Sequence, residues 1–244
     1  MSKILLECCV ASVESAVRAE LGGAGRVELC SALELGGVTP SSASIKLARE
    51  RIDIPLFVLV RPRGGDFHYS PVEIEVMKTD IAAARELGAD GIVLGILRED
   101  GDVDVERTAE LIETADGASI TFHRAFDSAP DPLAALETLR KLGVNRVLTT
   151  GGAGRAEEGL AELEKLAKAA ADRIDILPGG GINHENCRQI IERTGVKEIH
   201  VGSAVCSAGP RQEASGLGPG GIETPAPGGE TDPESVRRLL DLLG

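Results

Sequence analysis

The sequence predicts an α/β protein folded as a single (β/α)8 TIM barrel, and three observations carry that prediction. Eight short apolar runs recur along the 244 residues, their starts 22 to 35 residues apart, which is the length of a strand, two loops and a helix. Each run is followed by a longer amphipathic stretch, so strands and helices alternate strictly. The first run leads into Cys9-Val10-Ala11-Ser12, not the Gly-rich fingerprint that an open doubly wound sheet usually carries there. No boundary interrupts the pattern, and residues 1–244 are read as one domain.

In chain order the strands are read at Ile4–Cys9, Arg26–Cys30, Leu56–Arg61, Gly91–Gly95, Ser119–His123, Arg146–Thr149, Ile174–Leu177 and Glu198–Gly202. The helices between them span about 12–22, 41–51, 71–87, 104–115, 131–142, 155–171 and 183–194, with a last one at about 232–243. Local signals mark several boundaries. Asp131-Pro132 opens one helix, and Thr231-Asp232-Pro233-Glu234 opens another with Thr231 as the N-cap. Gly88, Gly143 and Gly195 follow helix ends, where a left-handed residue is wanted. The segment 208–230, rich in Gly and Pro and without periodicity, is expected to form a long loop after strand eight, either a surface loop or a lid.

Composition narrows the function. Aromatic residues make up 2% with no Trp, too few to stack nucleic-acid bases, and a net charge of −13 disfavours nucleic acids and anionic membranes. No apolar stretch is long enough to span a bilayer, and Met1-Ser2-Lys3 runs straight into a strand without a secretory pattern. Five cysteines, two adjacent, make a poor disulfide framework, so the expectation is a cytoplasmic protein with free thiols.

The most informative local feature is an echo. Leu6-Glu7-Cys8-Cys9 returns 21 residues later as Val27-Glu28-Leu29-Cys30. On a strand, residues i and i+2 share a face, so Glu7 with Cys9, and Glu28 with Cys30, are expected to converge inside the barrel. Two thiols on adjacent strands suit Cu(I), and also zinc, although a free Cys commonly serves as a small buried apolar residue. Cys8, Cys187 and Cys206 read as structural. Buried carboxylates need partners, and Arg61, Arg63, Arg124 and His123 at other strand ends are the expected ones. That set reads either as acid/base catalysis by Glu7, Glu28 and His123 with an arginine clamp for an anion, or as an ion-pair layer plugging the barrel. Asp66 and Asp127, in the same strand-end segments, complete the ligand-binding candidates. His200, deeper in strand eight, is a weaker one. Gly179, Gly180, Gly181 and Ser203 occupy the usual phosphate position of such barrels, with a helix expected near Asn183 and Arg155 in reach.

These segments together resemble the CutC family. The likeness spans nearly the whole chain and is most specific at Arg61-Pro62-Arg63-Gly64-Gly65-Asp66-Phe67, Thr121-Phe122-His123-Arg124-Ala125-Phe126-Asp127 and Pro178-Gly179-Gly180-Gly181-Ile182-Asn183. The resemblance implies a TIM barrel, a cytoplasmic homo-oligomer (dimer or tetramer) and a role in copper handling. Cys9 and Cys30 match the cysteines proposed to hold Cu(I), and no organic cofactor is expected. Ala11 stands where an acid is common in the family, and Thr150-Gly151-Gly152 varies its turn. Two functions follow as expectations: a copper-binding homeostasis protein, or an isomerase or lyase acting on a small anionic metabolite, phosphorylated or not.

Overall fold

Residues alternate between two environments along every strand, and this alternation builds the barrel. The computed structural model describes residues 4–207 and 229–244, so the segment expected as a loop at 208–230 lies almost wholly outside the described residues. The chain runs β1 (Leu5–Val10), α1 (Val13–Gly22), β2 (Arg26–Leu29), α2 (Ser42–Arg49), β3 (Leu56–Leu59), α3 (Pro71–Glu86), β4 (Gly91–Leu94), α4 (Val105–Thr114) and β5 (Ser119–Phe122). It continues through α5 (Pro132–Lys141), β6 (Arg146–Thr149), α6 (Leu160–Ala170), β7 (Asp175–Pro178), α7 (Cys187–Thr194), β8 (Glu198–Val201) and α8 (Pro233–Leu243). All eight strands are parallel, ordered β7-β6-β5-β4-β3-β2-β1-β8, which makes a nearly closed barrel. At the seam between β7 and β8, Gly179 lets the chain pass His200, whose Cβ would stand 3.1 Å from an added methyl.

Leu6, Cys8, Val10, Val27, Leu29, Val58, Ile92, Ile120, Val147 and Ile199 point outward and pack beneath the helices in one large core. Their neighbours point inward, where Cys30, Phe57, Leu59 and Val93 form a second, small apolar cluster with Cys9 against it. The aliphatic outer core accounts for a stable barrel with so few aromatics: parallel strands covered on both sides draw on Val, Ile and Leu.

The boundaries follow from caps. Ser12, Ser41, Asp104 and Asp131 each accept an orphan helix N–H, and Ser70 with Glu73 closes a full capping box on α3. Three expectations need correction. The N-cap of α8 is Asp232, which accepts from Glu234 and Ser235; Thr231 is buried, its N–H held by Ser15. Helix α6 starts at Leu160 rather than 155. Helix α7 starts at Cys187 rather than 183, because Asn183 accepts from the N–H groups of Glu185 and Asn186 and keeps that stretch a loop.

Candidate functional site

The stagger of the barrel decides which inward residues meet. β1 and β2 are registered Glu7 to Arg26 and Cys9 to Glu28, while β8 places His200 beside Glu7. The expected partners of Glu7 and Glu28 are therefore corrected: neither meets Arg61, Arg63, Arg124 or His123. Glu7, fully buried, pairs with Arg26 and accepts from His200 Nδ1 at 2.7 Å. Arg26 also reaches Glu198 at 2.8 Å, and Arg146 reaches the other oxygen of Glu198 at 3.0 Å. Both guanidinium groups lie on the Phe57 ring, 4.8 and 5.0 Å from its centroid. This ionic layer fills the lower barrel. Sequence reasoning passed over Arg26; its position two residues before Glu28, on the same strand face, was the signal that it points inward.

Above the layer opens a cavity of about 540 Å³ at the carboxyl ends of the strands. Its walls include Cys9, Glu28, Arg61, His123, Arg124, Asp127, Gly180, Gly181, Ile182, His200 and Ser203. Glu7 lies below it, and Arg63 and Asp66 lie outside it. Arg63 binds Glu73 at 2.6 Å and Asp66 at 3.0 Å, tying the loop after β3 to the start of α3. Arg61 reaches the wall, but its donors clamp the carbonyls of Leu35 (3.0 Å), Gly37 (3.0 Å) and Gly65 (2.7 Å). Gly179 serves the seam rather than the wall.

The two halves of the echo have separated in character. Burial works to raise Glu7, but Arg26 and His200 outweigh it and hold the carboxyl near 2. Glu28 has no such donor: burial pushes it up to about 7, with His200 pulling down, Glu7 pushing up and Arg26 pulling down less, and its Oε2 is buried without a hydrogen bond among the described residues. Burial disfavours a charged His200, yet contact with Cys9, Glu7 and Glu28 keeps it well above the ordinary imidazole value. Glu7, Glu28 and His200 bring ligand atoms within 4.8 Å of one another, as a metal ion would need, although Arg26 and the His200 proton already serve Glu7. The thiols converge as expected. Cys9 Sγ and Cys30 Sγ lie 3.8 Å apart, and Cys30 Sγ is 3.5 Å from the Val10 carbonyl. The hydrogen bond to Cys30 and burial raise Cys9 well above a free thiol. Cys8 and Cys187 are buried in the outer core.

The opposite wall is built by β5 to β8. His123 caps a 3-10 turn over Arg124–Ser128, its Nδ1 accepting from Ala125 N–H at 3.1 Å. Burial, with Arg61 nearby, lowers His123 to about 3, so the ring is neutral and carries its proton on Nε2, which has no acceptor among the described residues. Arg124 Nε donates to Asp127 at 2.9 Å. Asp127 itself accepts from the Thr149 hydroxyl, from Thr150 N–H and hydroxyl (3.1 and 2.9 Å) and from Gly152 N–H at 3.3 Å. It is a support for Arg124 more than a ligand group. Arg155 is bound to Glu157 at 3.0 Å and to the Gly181 carbonyl at 3.2 Å, away from the cavity wall.

Comparison with known proteins agrees with this architecture. The CutC family model matches residues 4–205. The copper homeostasis protein cutC homolog of Mus musculus is 52% identical over 204 residues, covering 84% of this chain and 73% of the relative. A family protein CutC from Chromobacterium violaceum is 42% identical over 100% of this chain and 99% of its own length. Among solved structures, a CutC from Streptococcus agalactiae superposes with a TM-score of 0.77 at 37% identity, covering 81% of this chain and 98% of that one.

Proposed function

The chain belongs to the CutC family, and from that membership we propose that it is a copper-homeostasis protein that binds Cu(I) between Cys9 and Cys30. The observation carrying the proposal is the 3.8 Å separation of the Cys9 thiol, which lines an open cavity, from the Cys30 thiol buried beside it. Cu(I) is satisfied by two soft sulfur ligands, and its thiolate bonds form by displacing the thiol protons. A pair at this distance needs only a small side-chain rotation to take an ion between its sulfurs. Leu59 and Val93 pack against the thiol pair on one side and keep that side of it apolar.

Ligation must release the protons of both thiols, and Cys9 holds its own more tightly than a free thiol does, so affinity rises with pH below the thiol range. The five free thiols suit a reducing cytoplasm, where copper is held as Cu(I). Competition with a chromophoric Cu(I) chelator under reducing, anaerobic conditions tests the reading. The wild-type chain should bind one Cu(I) with an affinity that climbs between pH 6 and 8. The double variant Cys9→Ser/Cys30→Ser should lose at least about a hundredfold, since both soft ligands go, while Cys187→Ser/Cys206→Ser should keep wild-type affinity. Full affinity in the Cys9/Cys30 double variant would sink the proposal.

A further inference from the structure

The wall of the cavity opposite the thiols carries hydrogen-bond donors that no described residue uses, and we propose that Arg124, the backbone N–H groups of Gly181 and Ile182, and Ser203 form a binding site for a phosphate group. The proposal stands apart from the copper reading and uses neither thiol.

Arg124 is the anchor. Its Nε is fixed by Asp127, and Asp127 is itself held by Thr149, Thr150 and Gly152, so the guanidinium is oriented before any ligand arrives. Its two terminal amino groups have no acceptor among the described residues. They lie over the turn after β7: a methyl added at Gly180 would stand 3.5 Å from Arg124 Nη1 and 2.5 Å from Thr150 Cγ2. The site therefore needs glycine at 180 for close approach as well as for its φ of +90°.

The backbone of that turn faces the same way. The Gly180 carbonyl accepts from Ala156 N–H at 2.9 Å, and the Gly181 carbonyl accepts from Asn186 Nδ2 at 3.0 Å and from Arg155. Across a trans peptide unit the N–H points opposite to the carbonyl it is bonded to. Pinning those two carbonyls toward the loop before α6 and toward Asn186 thus turns the N–H groups of Gly181 and Ile182 the other way, onto the cavity wall they line. Neither N–H has an acceptor among the described residues. Successive glycines with φ of +90° and +74° form the kind of concave backbone turn that holds an anion. Ser203, the first residue of the turn after β8, lines the same cavity and brings its hydroxyl to that wall. The loop before α7 has no share in the site, because the N–H groups of Asn183, Glu185 and Asn186 are bound by the Asn186 and Asn183 side chains, and Cys187 N–H by the Asn183 carbonyl.

One further observation points to a ligand larger than the anion itself. His123 lines the same cavity, and its Nε2–H is buried without an acceptor among the described residues. A cavity of about 540 Å³ exceeds what a phosphate fills, so the organic body of a small phosphate monoester has room to reach His123. Free phosphate and a phosphate monoester share the chemistry read by Arg124 and the turn; only the monoester also meets His123.

The test is calorimetric titration of the whole chain with inorganic phosphate and with glycerol phosphate, with amide chemical shifts followed in parallel. Both probes should bind, and both should move the Gly181 and Ile182 amide signals. Glycerol phosphate binding more tightly than phosphate identifies a monoester; equal affinities identify the free ion as the ligand. Arg124→Gln should weaken either probe by about tenfold or more, the loss of a charge-assisted fork, and Arg124→Lys should fall between. Cys9→Ser/Cys30→Ser should leave phosphate binding unchanged, which separates this site from the copper reading. The proposal is overturned if wild-type protein binds neither probe, if the shifts fall away from the turn after β7, or if folded Arg124→Gln binds phosphate as wild type does.

Discussion

Replacing Arg26 with Met tests whether the lower barrel is held by charge. The Arg26 side chain is 4% exposed, and its partners Glu7 and Glu198 are 0% and 7% exposed, so no water stands ready to take its place. Met restores most of the volume on Phe57 but leaves Glu7 with His200 alone and Glu198 with Arg146 alone. Removing one member of a buried, hydrogen-bonded pair costs roughly 3–5 kcal/mol, because a carboxylate is left uncompensated. For a chain of this size that is a fall in Tm of roughly 6–20 °C. The sign with pH is fixed by Glu7. Arg26 helps hold its folded carboxyl near 2, below the unfolded value of 4.5, so the pairing stabilises the fold above pH 4.5 and is lost as pH falls toward 2. In Arg26→Met the folded carboxyl rises and takes up a proton earlier, so the deficit shrinks between pH 7 and pH 4. Urea unfolding followed by circular dichroism at both pH values measures it. Glu7→Gln/Arg26→Met should recover part of the loss, giving a coupling above about 1 kcal/mol. A single variant within 1 kcal/mol of wild type at pH 7, or a deficit that ignores pH, would refute the account.

Two other changes probe the same interior. His123 is held near 3 against an unfolded value of 6.5, so it stabilises the neutral-pH fold and that contribution is lost as pH falls from 6.5 toward 3. His123→Gln should remove about 2–3 kcal/mol of the wild-type loss between pH 6.5 and 4.5; Glu28, raised to about 7, acts in the opposite sense, so the difference between the two proteins is what must be measured. Gly91→Ala would place a methyl 2.5 Å from the Phe57 ring and drive it into the two arginines stacked on it. A cost of about 1–3 kcal/mol is expected from such overpacking, and unchanged thermal unfolding would show that the ring is free to move aside.

The strands were legible because outward and inward residues alternate with a period of two and the outward ones are nearly all aliphatic. Gly88, Gly143 and Gly195 marked helix ends correctly, each with positive φ. The starts of α6 and α7 were not legible. The amphipathic pattern runs on through Arg155 and Asn183, whereas the backbone there is held by Glu158 and by the Asn183 and Asn186 side chains. For the site, the convergence of Cys9 with Cys30 was legible from spacing. So was the clustering of His123, Arg124 and Gly180 at strand ends. The partners of the carboxylates were not, because pairing depends on the stagger between strands, and stagger is a property of barrel closure that no single strand carries.

That stagger explains why two copies of one motif do different chemistry. Aligned by sequence, Glu7 matches Glu28 and Cys9 matches Cys30. In the sheet β2 is displaced by two residues, so Glu7 sits beside Arg26 and Cys9 beside Glu28. The shift lowers Glu7 into the ionic layer, where its charge is neutralised and fixed. It lifts Glu28 to the cavity wall, beside Cys9 and His200, where no guanidinium of the described residues pairs with it. One carboxyl stays ionised down to about 2, while the other exchanges its proton near 7. Environments that push two like groups apart in this way separate a structural role from a chemical one. The offset also brings the thiols together, because Cys30 N–H bonds the Val10 carbonyl beyond the last registered pair and carries its sulfur back over Cys9. Without a two-residue stagger the echo would give two equivalent acids side by side, each raising the other; with it, the same residues give a charged floor, a titrating wall and a pair of thiols within reach of one ion.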